Sequence, residues 1–572
     1  MISAFRIILI VCSISLINSV QATEPMTWPH PLGPEYNRVS RERNFSLDWD
    51  DTSPQNADQN NELWTITELP GLHTPLIFND KLYAIFNFSS PDDEIKTVRE
   101  SKASSHYGII AWSIKNRDPE ARFSQQISSD LPQRFPQPYL AGDPTWRQLF
   151  CLNATGEVVA LDSDLGNTLW TQSLFDDSDP DNLQAQSVAP IIFEHLLIVT
   201  WLVEQENRFT LYCMAMDRRN GLPCWQLKRS LANNFLASPV PAVVGHQVVL
   251  AIPGEEGTVE LLQIRTGKSV EKLDSNGSSQ TIHELLYQDG QLLVLSSSEN
   301  DAALKSWHID LWRLTQSESS NTDPAENPFK KLIHFDLQSA ERTTALLHGE
   351  AIFAANSAGT LEVFSIKQQK RLHELPTAQG SEPHLQWVND QLLLTTNSGL
   401  WQAYACKNSA CELIFSKKYG NQIPFPPAIS KKQIYVQHDN ELTAFGPFEN
   451  GDAISQLMIP LTKIAQDETS DKPGSIQLIP AAISLSPGFK QAFQVLLFNE
   501  YGHFLKTLDP QELTWEWSGP GELSNAQGVL TLPIDIQDHS KSLLEVKLGE
   551  LRAESVIRID STPEPINAPS AP

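Results

Sequence analysis

Residues 176–182 read DDSDPDN and place Asp177, Asp179 and Asp181 at alternate positions, the way a calcium-binding loop begins. The run lacks a glycine at its sixth position and a glutamate at its twelfth, so it reads as a solvated loop between repeats. The adjacent carboxylates Glu255-Glu256 and Asp92-Asp93-Glu94 lie in turn-like stretches and read as surface charge. His283, His308, His334, His348 and His373 are scattered singly, a pattern of packed or exposed histidines rather than of a catalytic group. Five cysteines follow Cys12. Cys406 and Cys411 enclose four residues between strand-like segments, which predicts a disulfide. Cys213 and Cys224 flank the turn DRRNG and form a second candidate pair, whose register the sequence leaves open; Cys151 is left over. No CxxC or Cys/His spacing suggests zinc, and there is no Gly-x-Ser-x-Gly elbow, His-Glu-x-x-His or phosphate loop.

The elements that would position these groups are strands. The chain has 572 residues, 40% of them hydrophobic, and a formal net charge of −27, a globular composition whose field disfavours nucleic acids and anionic lipid. Residues 1–22 pair Arg6 with the apolar run 7–17 and end at Val20-Gln21-Ala22. They are expected to be a secretory signal peptide, with no lipidation at Cys12 and no transmembrane segment elsewhere. Export to the periplasm or the extracellular space is the corresponding expectation.

Residues 156–170 read GEVVALDSDLGNTLW: a glycine, a short apolar strand, an aspartate, a second glycine and a tryptophan. Gly156 opens the stretch, and its Asp162, Gly166 and Trp170 recur in LYCMAMDRRNGLPCW as Asp217, Gly221 and Trp225; more worn copies begin at residues 107, 257, 359 and 399. Apolar hairpins such as TPLIFNDKLYAIF, APIIFEHLLIVTW and HELLYQDGQLLVLS precede the copies. Each unit reads as four strands over roughly 35–50 residues, the period of a propeller blade. Asp162 is expected to bond the following turn, Gly166 to supply a positive φ, and Trp170, Trp225 and Trp401 to pack between blades. Eight hairpins between residues 72 and 439 predict an all-β, eight-bladed propeller over residues 61–448, with the last blade completed by NELWTITEL; seven blades is the alternative if worn copies merge.

The motif GEVVALDSDLGNTLW resembles the repeat of PQQ-like (quinoprotein-type) β-propellers, strongly in two copies and weakly in the others. WPHPLGPEYNRVSRE, residues 28–42, resembles the N-terminal segment of exported bacterial proteins of this class. The resemblance implies one of two functions. Quinoprotein dehydrogenases of the family hold pyrroloquinoline quinone and Ca²⁺ on the propeller axis and carry an adjacent Cys-Cys pair, which this sequence lacks; no calcium ligand or catalytic residue carries over. The other branch is non-catalytic and holds protein partners.

After a linker at 449–474, residues 475–560 show about seven short strands, the pattern of a small β-sandwich. LIPAAISLSPGFKQAFQVLLFNEYGHFL within them resembles bacterial immunoglobulin-like domains. Residues 561–572 are a low-complexity tail, expected to be disordered. The preferred expectation is an exported, monomeric, non-catalytic scaffold without cofactor or metal, binding a protein or cell-envelope partner and no nucleic acid. A quinone-dependent dehydrogenase with a divergent site and a carbohydrate-binding envelope protein are the alternatives.

Overall fold

The computed structural model describes residues 27–40, 42, 62–67, 73–88, 106–114, 120–126, 132–175, 183–206, 208–274, 280–299, 305–314, 329–337, 341–377, 379, 381–407, 410–446, 470–534, 536 and 541–559. The expected signal peptide, most of the linker and the tail lie outside them.

The fold is an all-β propeller. Between residues 62 and 445 the described residues form eight antiparallel sheets, seven of them built from consecutive strands: residues 76–126, 139–173, 185–231, 240–273, 280–337, 343–376 and 383–418. The third sheet carries an extra short strand, because Ala185–Ser187 and Ile191–Phe193 both pair with Leu196–Gln205. The eighth joins Ala428–Ser430, Gln433–His438 and Glu441–Phe445 to Glu62–Ile66, so the chain's early strand closes the last sheet and covers its edge.

The inner strands are apolar on both faces because each sheet lies between two neighbours. Val240–Val244 and Val259–Gln263 are buried at every position. Fourth strands such as Thr168–Ser173 and Pro223–Leu231 are partly exposed. In each of the first seven sheets the pairing of third to fourth strand shifts by one residue, as between Ala160 and Leu161 or Leu311 and Trp312. Such a bulge increases the local twist and re-aims the fourth strand. First strands adjoin around the ring: Leu76–Phe78 touches both Ala428–Ser430 and Tyr139–Asp143, and Thr343–His348 touches both Gln280–Gln288 and Pro383–Val388.

Residues 473–559 form three small sheets around a core that includes Leu478, Trp515, Leu530, Leu544 and Ile557. Ten strands are described there rather than about seven; several are three-residue pieces such as Lys490–Ala492 and Val529–Thr531 that alternation alone does not separate. This unit sits on the third and fourth sheets. The Ala481 N–H donates to the Pro223 carbonyl (2.7 Å), Gln263 Nε2 to the Glu500 carbonyl (2.8 Å), and His503 Nε2 to the His246 carbonyl (3.0 Å).

Candidate functional site

The repeat residues act between sheets. Asp162 Oδ1 accepts the backbone N–H groups of Asp164 and Leu165, both at 2.8 Å, and closes the turn. Asp217 holds Arg219 N–H in the same way (2.9 Å). Trp170 Nε1 donates to the Arg218 carbonyl of the next sheet (2.8 Å), and its ring lies 2.7 Å from where a Cβ on Gly221 would sit. Trp225 repeats the contact one sheet on, donating to the Ile264 carbonyl (3.1 Å) and packing on Gly267. Phe123 presses on Gly166 from the preceding sheet, and the Phe175 ring fills the space beside Gly156. Trp401 is fully buried among Tyr419 and Phe445. These residues are joints between sheets.

The axial position is taken by the chain itself. Trp28 exchanges backbone hydrogen bonds with Ile77 of the first sheet (2.6 and 2.9 Å), and the Pro29 carbonyl accepts the Gly142 N–H of the second (2.8 Å). The Tyr36 hydroxyl donates to the Ile192 carbonyl of the third (3.0 Å). Arg38 pairs with Glu284 of the fifth (3.0 Å) and donates to Thr344 Oγ1 of the sixth (2.9 Å). The Ser40 N–H donates to the Trp387 carbonyl of the seventh (2.8 Å), and Glu42 accepts the backbone N–H groups of Lys431 (2.8 Å) and Lys432 in the eighth. A 15-residue stretch spans at most about 50 Å, so a path that meets these sheets in turn runs inside the ring of first strands. It also covers inner strand edges that would otherwise be open.

Burial sets the charge state along this path. Desolvation pushes the His30 imidazole down to about 3 and the Tyr36 hydroxyl up to about 12, so both stay neutral. It raises the Glu42 carboxyl to about 7, against the opposing hydrogen bonds from Lys432 and Lys431. Sequence reasoning singled out residues 28–42 as a motif but had no signal for where they lie.

Two turns at the same end of the second sheet each hold a large apolar side chain out to solvent. Asp143 Oδ1 accepts the N–H groups of Thr145 and Trp146 and turns the Trp146 side chain outward, 62% exposed. Leu165, 68% exposed, lies on the adjoining turn, which is tied on by the Ser163 N–H to the Arg147 carbonyl (2.9 Å) and by Arg147 to Asp164 (2.8 Å). Arg218 from the third sheet lies 4.9 Å over the Trp146 ring and pairs with Asp143. A separate cleft of about 250 Å³ lies between the third sheet and the C-terminal unit. Phe175, the stacked pair Trp201–Tyr212 (5.1 Å), Lys228, Lys541 and Arg558 line it.

Cys406 and Cys411 face each other across their hairpin and form a disulfide. The second candidate pair is corrected: Cys213 and Cys224 are free and buried, as is Cys151. Cys213 stands opposite Leu227, whereas Cys224 lies in the bulge beyond Trp225, so more than two rungs separate the sulfurs along the ladder. At about 3.4 Å per rung that exceeds disulfide reach. His283 packs on Trp307, His348 stacks on Trp387 (4.0 Å), and His373 is exposed on an outer strand. His308 and His334, read as single histidines, are brought together across two strands. Glu255 and Glu256 lie in a short turn, with Glu255 3.4 Å from Lys272. DDSDPDN and Asp92-Asp93-Glu94 lie outside the described residues. No helix among the described residues is long and apolar enough to cross a membrane.

Residues 147–325 match the family model described as outer membrane protein assembly factor BamB. No curated protein matches the sequence significantly. Among solved structures, BamB from Moraxella catarrhalis aligns at 14% identity with a TM-score of 0.46, covering 67% of this chain and 99% of that one. A europium-containing methanol dehydrogenase aligns at 11% identity with a TM-score of 0.40, covering 72% and 89%. The Dos1 propeller aligns at 12% identity with a TM-score of 0.46, covering 67% and 95%. With the glycine–aspartate–tryptophan joints between their sheets, residues 147–325 match the PQQ-like β-propeller repeat.

Proposed function

We propose that this chain is an exported, monomeric, non-catalytic scaffold that holds a protein partner in the cell envelope. The observation that carries the reading is Trp146 and Leu165: two large apolar side chains held outward on neighbouring braced turns, beside the charged Arg147 and Asp164. Large apolar side chains exposed beside charged ones suit a protein-docking surface. The matched family's description as an assembly factor agrees with it.

The filled axis supports the non-catalytic half of the reading. A quinone with Ca²⁺ on the axis would need the volume that residues 28–42 take, and the axial groups do not fit it. His30 and Tyr36 are neutral and buried, Glu42 is engaged by backbone N–H groups, Glu35 by Asn37 and Glu284 by Arg38. The carbohydrate alternative has one observation in its favour, the stacked Trp201–Tyr212 pair in the cleft beside the C-terminal unit.

The test is capture of envelope proteins by the purified chain and by a Trp146→Glu/Leu165→Glu variant. Both side chains are exposed, so the variant keeps its fold. A partner retained by the wild type and lost at least tenfold by the variant is expected. A partner set unchanged by the two charges overturns the docking role of these two side chains.

A further inference from the structure

His308 and Asp310 on one strand of the fifth sheet stand opposite Asp336 and His334 on the next. All four lie on one face of the sheet, because cross-strand partners and residues two apart share a face. His308 Nδ1 is 2.7 Å from Asp336 Oδ1, and His334 Nε2 is 3.3 Å from the same oxygen. One ligating atom from each of His308, His334 and Asp336 lies within 4.8 Å of the others. The other nitrogen of His334, Nδ1, is 2.7 Å from Asp310 Oδ1; Asp310 is fully buried and also paired with Lys331 (3.1 Å).

An ionised carboxylate only accepts hydrogen bonds. Asp310 therefore takes the Nδ1 proton of His334 and fixes its tautomer, leaving the Nε2 lone pair facing the Asp336 carboxylate. Two acceptors so placed need a cation between or upon them, a proton or a metal ion. Asp310 stands where the outer carboxylate of a carboxylate–histidine–metal chain stands, and such partners orient the imidazole and raise its basicity.

We infer that His308, His334 and Asp336 form a binding site for a divalent first-row ion of the zinc class, with Asp310 as the residue that positions His334. Two imidazoles and a carboxylate suit Zn²⁺ rather than Ca²⁺ or Mg²⁺, which take oxygen ligands. Zn²⁺ bonds of about 2.0–2.1 Å hold tetrahedral donors roughly 3.3 Å apart, the distance from His334 Nε2 to Asp336; His308, now 2.7 Å from Asp336, needs to move back by about half an ångström. Asp336 is 75% exposed at its side chain, so the fourth position opens to solvent and takes a water or a donor from a partner.

The test is calorimetric titration of the chelator-treated, dialysed full chain with Zn²⁺ in a non-coordinating buffer. The chain has 14 histidines, so a His308→Ala/His334→Ala variant supplies the reference; both side chains reach the surface and the variant is checked for an unchanged melting temperature. One saturable site per chain that the double variant loses is expected, with a 10- to 100-fold weaker site in Asp310→Asn. Asp336→Asn, at an exposed position, gives the same direction if Asp310→Asn does not fold. Absence of saturable binding, or a site of equal affinity in the double variant, overturns the assignment and leaves a proton as the cation of the cluster.

Discussion

Gly221 has a φ of +75° and carries the Trp170 ring where a side chain would begin, whereas Gly245 has a φ of +55° and open space around it. The pair separates two costs. Gly245→Ala bears only the left-handed backbone penalty, about 1–2 kcal/mol. Gly221→Ala adds displacement of the Trp170 ring, for a total of about 2–4 kcal/mol. Urea unfolding of both variants checks this, and equal losses contradict the role of the glycine–tryptophan joint. The joint was legible because its residue types are rare and its spacing is local. The His308–Asp336 and Asp310–His334 pairs were not: they are separated by 28 and 24 positions in the chain. They meet only because the bulge between Leu311 and Trp312 sets the register. Cys213 and Cys224 failed on register: Cys213 faces Leu227, and Cys224 lies two to three rungs nearer the turn.

At the scale of elements, strands and tight turns follow from alternation and from turn residues, and these were readable. The course of residues 28–42 was not, because its contacts reach sheets from Ile77 to Lys432. Trp28 is 1% exposed and anchors the start of that course. Trp28→Ala is expected to cost about 3–5 kcal/mol and to open the stretch to limited proteolysis ahead of the sheets; protection equal to wild type contradicts the axial placement. Removal of Glu62–Ile66 leaves the edge of Glu441–Phe445 unpaired. Concentration-dependent association on size-exclusion chromatography is expected of that deletion, and a variant that stays monomeric at all concentrations contradicts the closure.

For the whole molecule, pH acts through buried groups of opposite sign. His30 and His73 are lowered from 6.5 to about 3 by burial, so between those values the unfolded chain binds the protons that the folded chain refuses. Stability present above pH 6.5 is lost as pH falls, by about 1.4 kcal/mol per unit for each histidine. Glu42, raised from 4.5 to about 7, works the other way: the folded chain holds its proton longer, so stability falls as pH rises from 4.5 to 7. The melting temperature is expected to drop from pH 7 to 5, and to drop further in Glu42→Gln, which lacks the opposing term. A flat profile contradicts the buried neutral histidines.

Residues 28–42 run along the propeller axis and meet seven of the eight sheets there. Titration of the purified chain with pyrroloquinoline quinone and Ca²⁺, followed by tryptophan fluorescence and quinone absorbance, tests whether that course excludes a cofactor. No saturable binding is predicted, in the wild type and at every Ca²⁺ concentration. Stoichiometric binding at micromolar or lower quinone would mean that residues 28–42 give way to a cofactor, and would contradict the account.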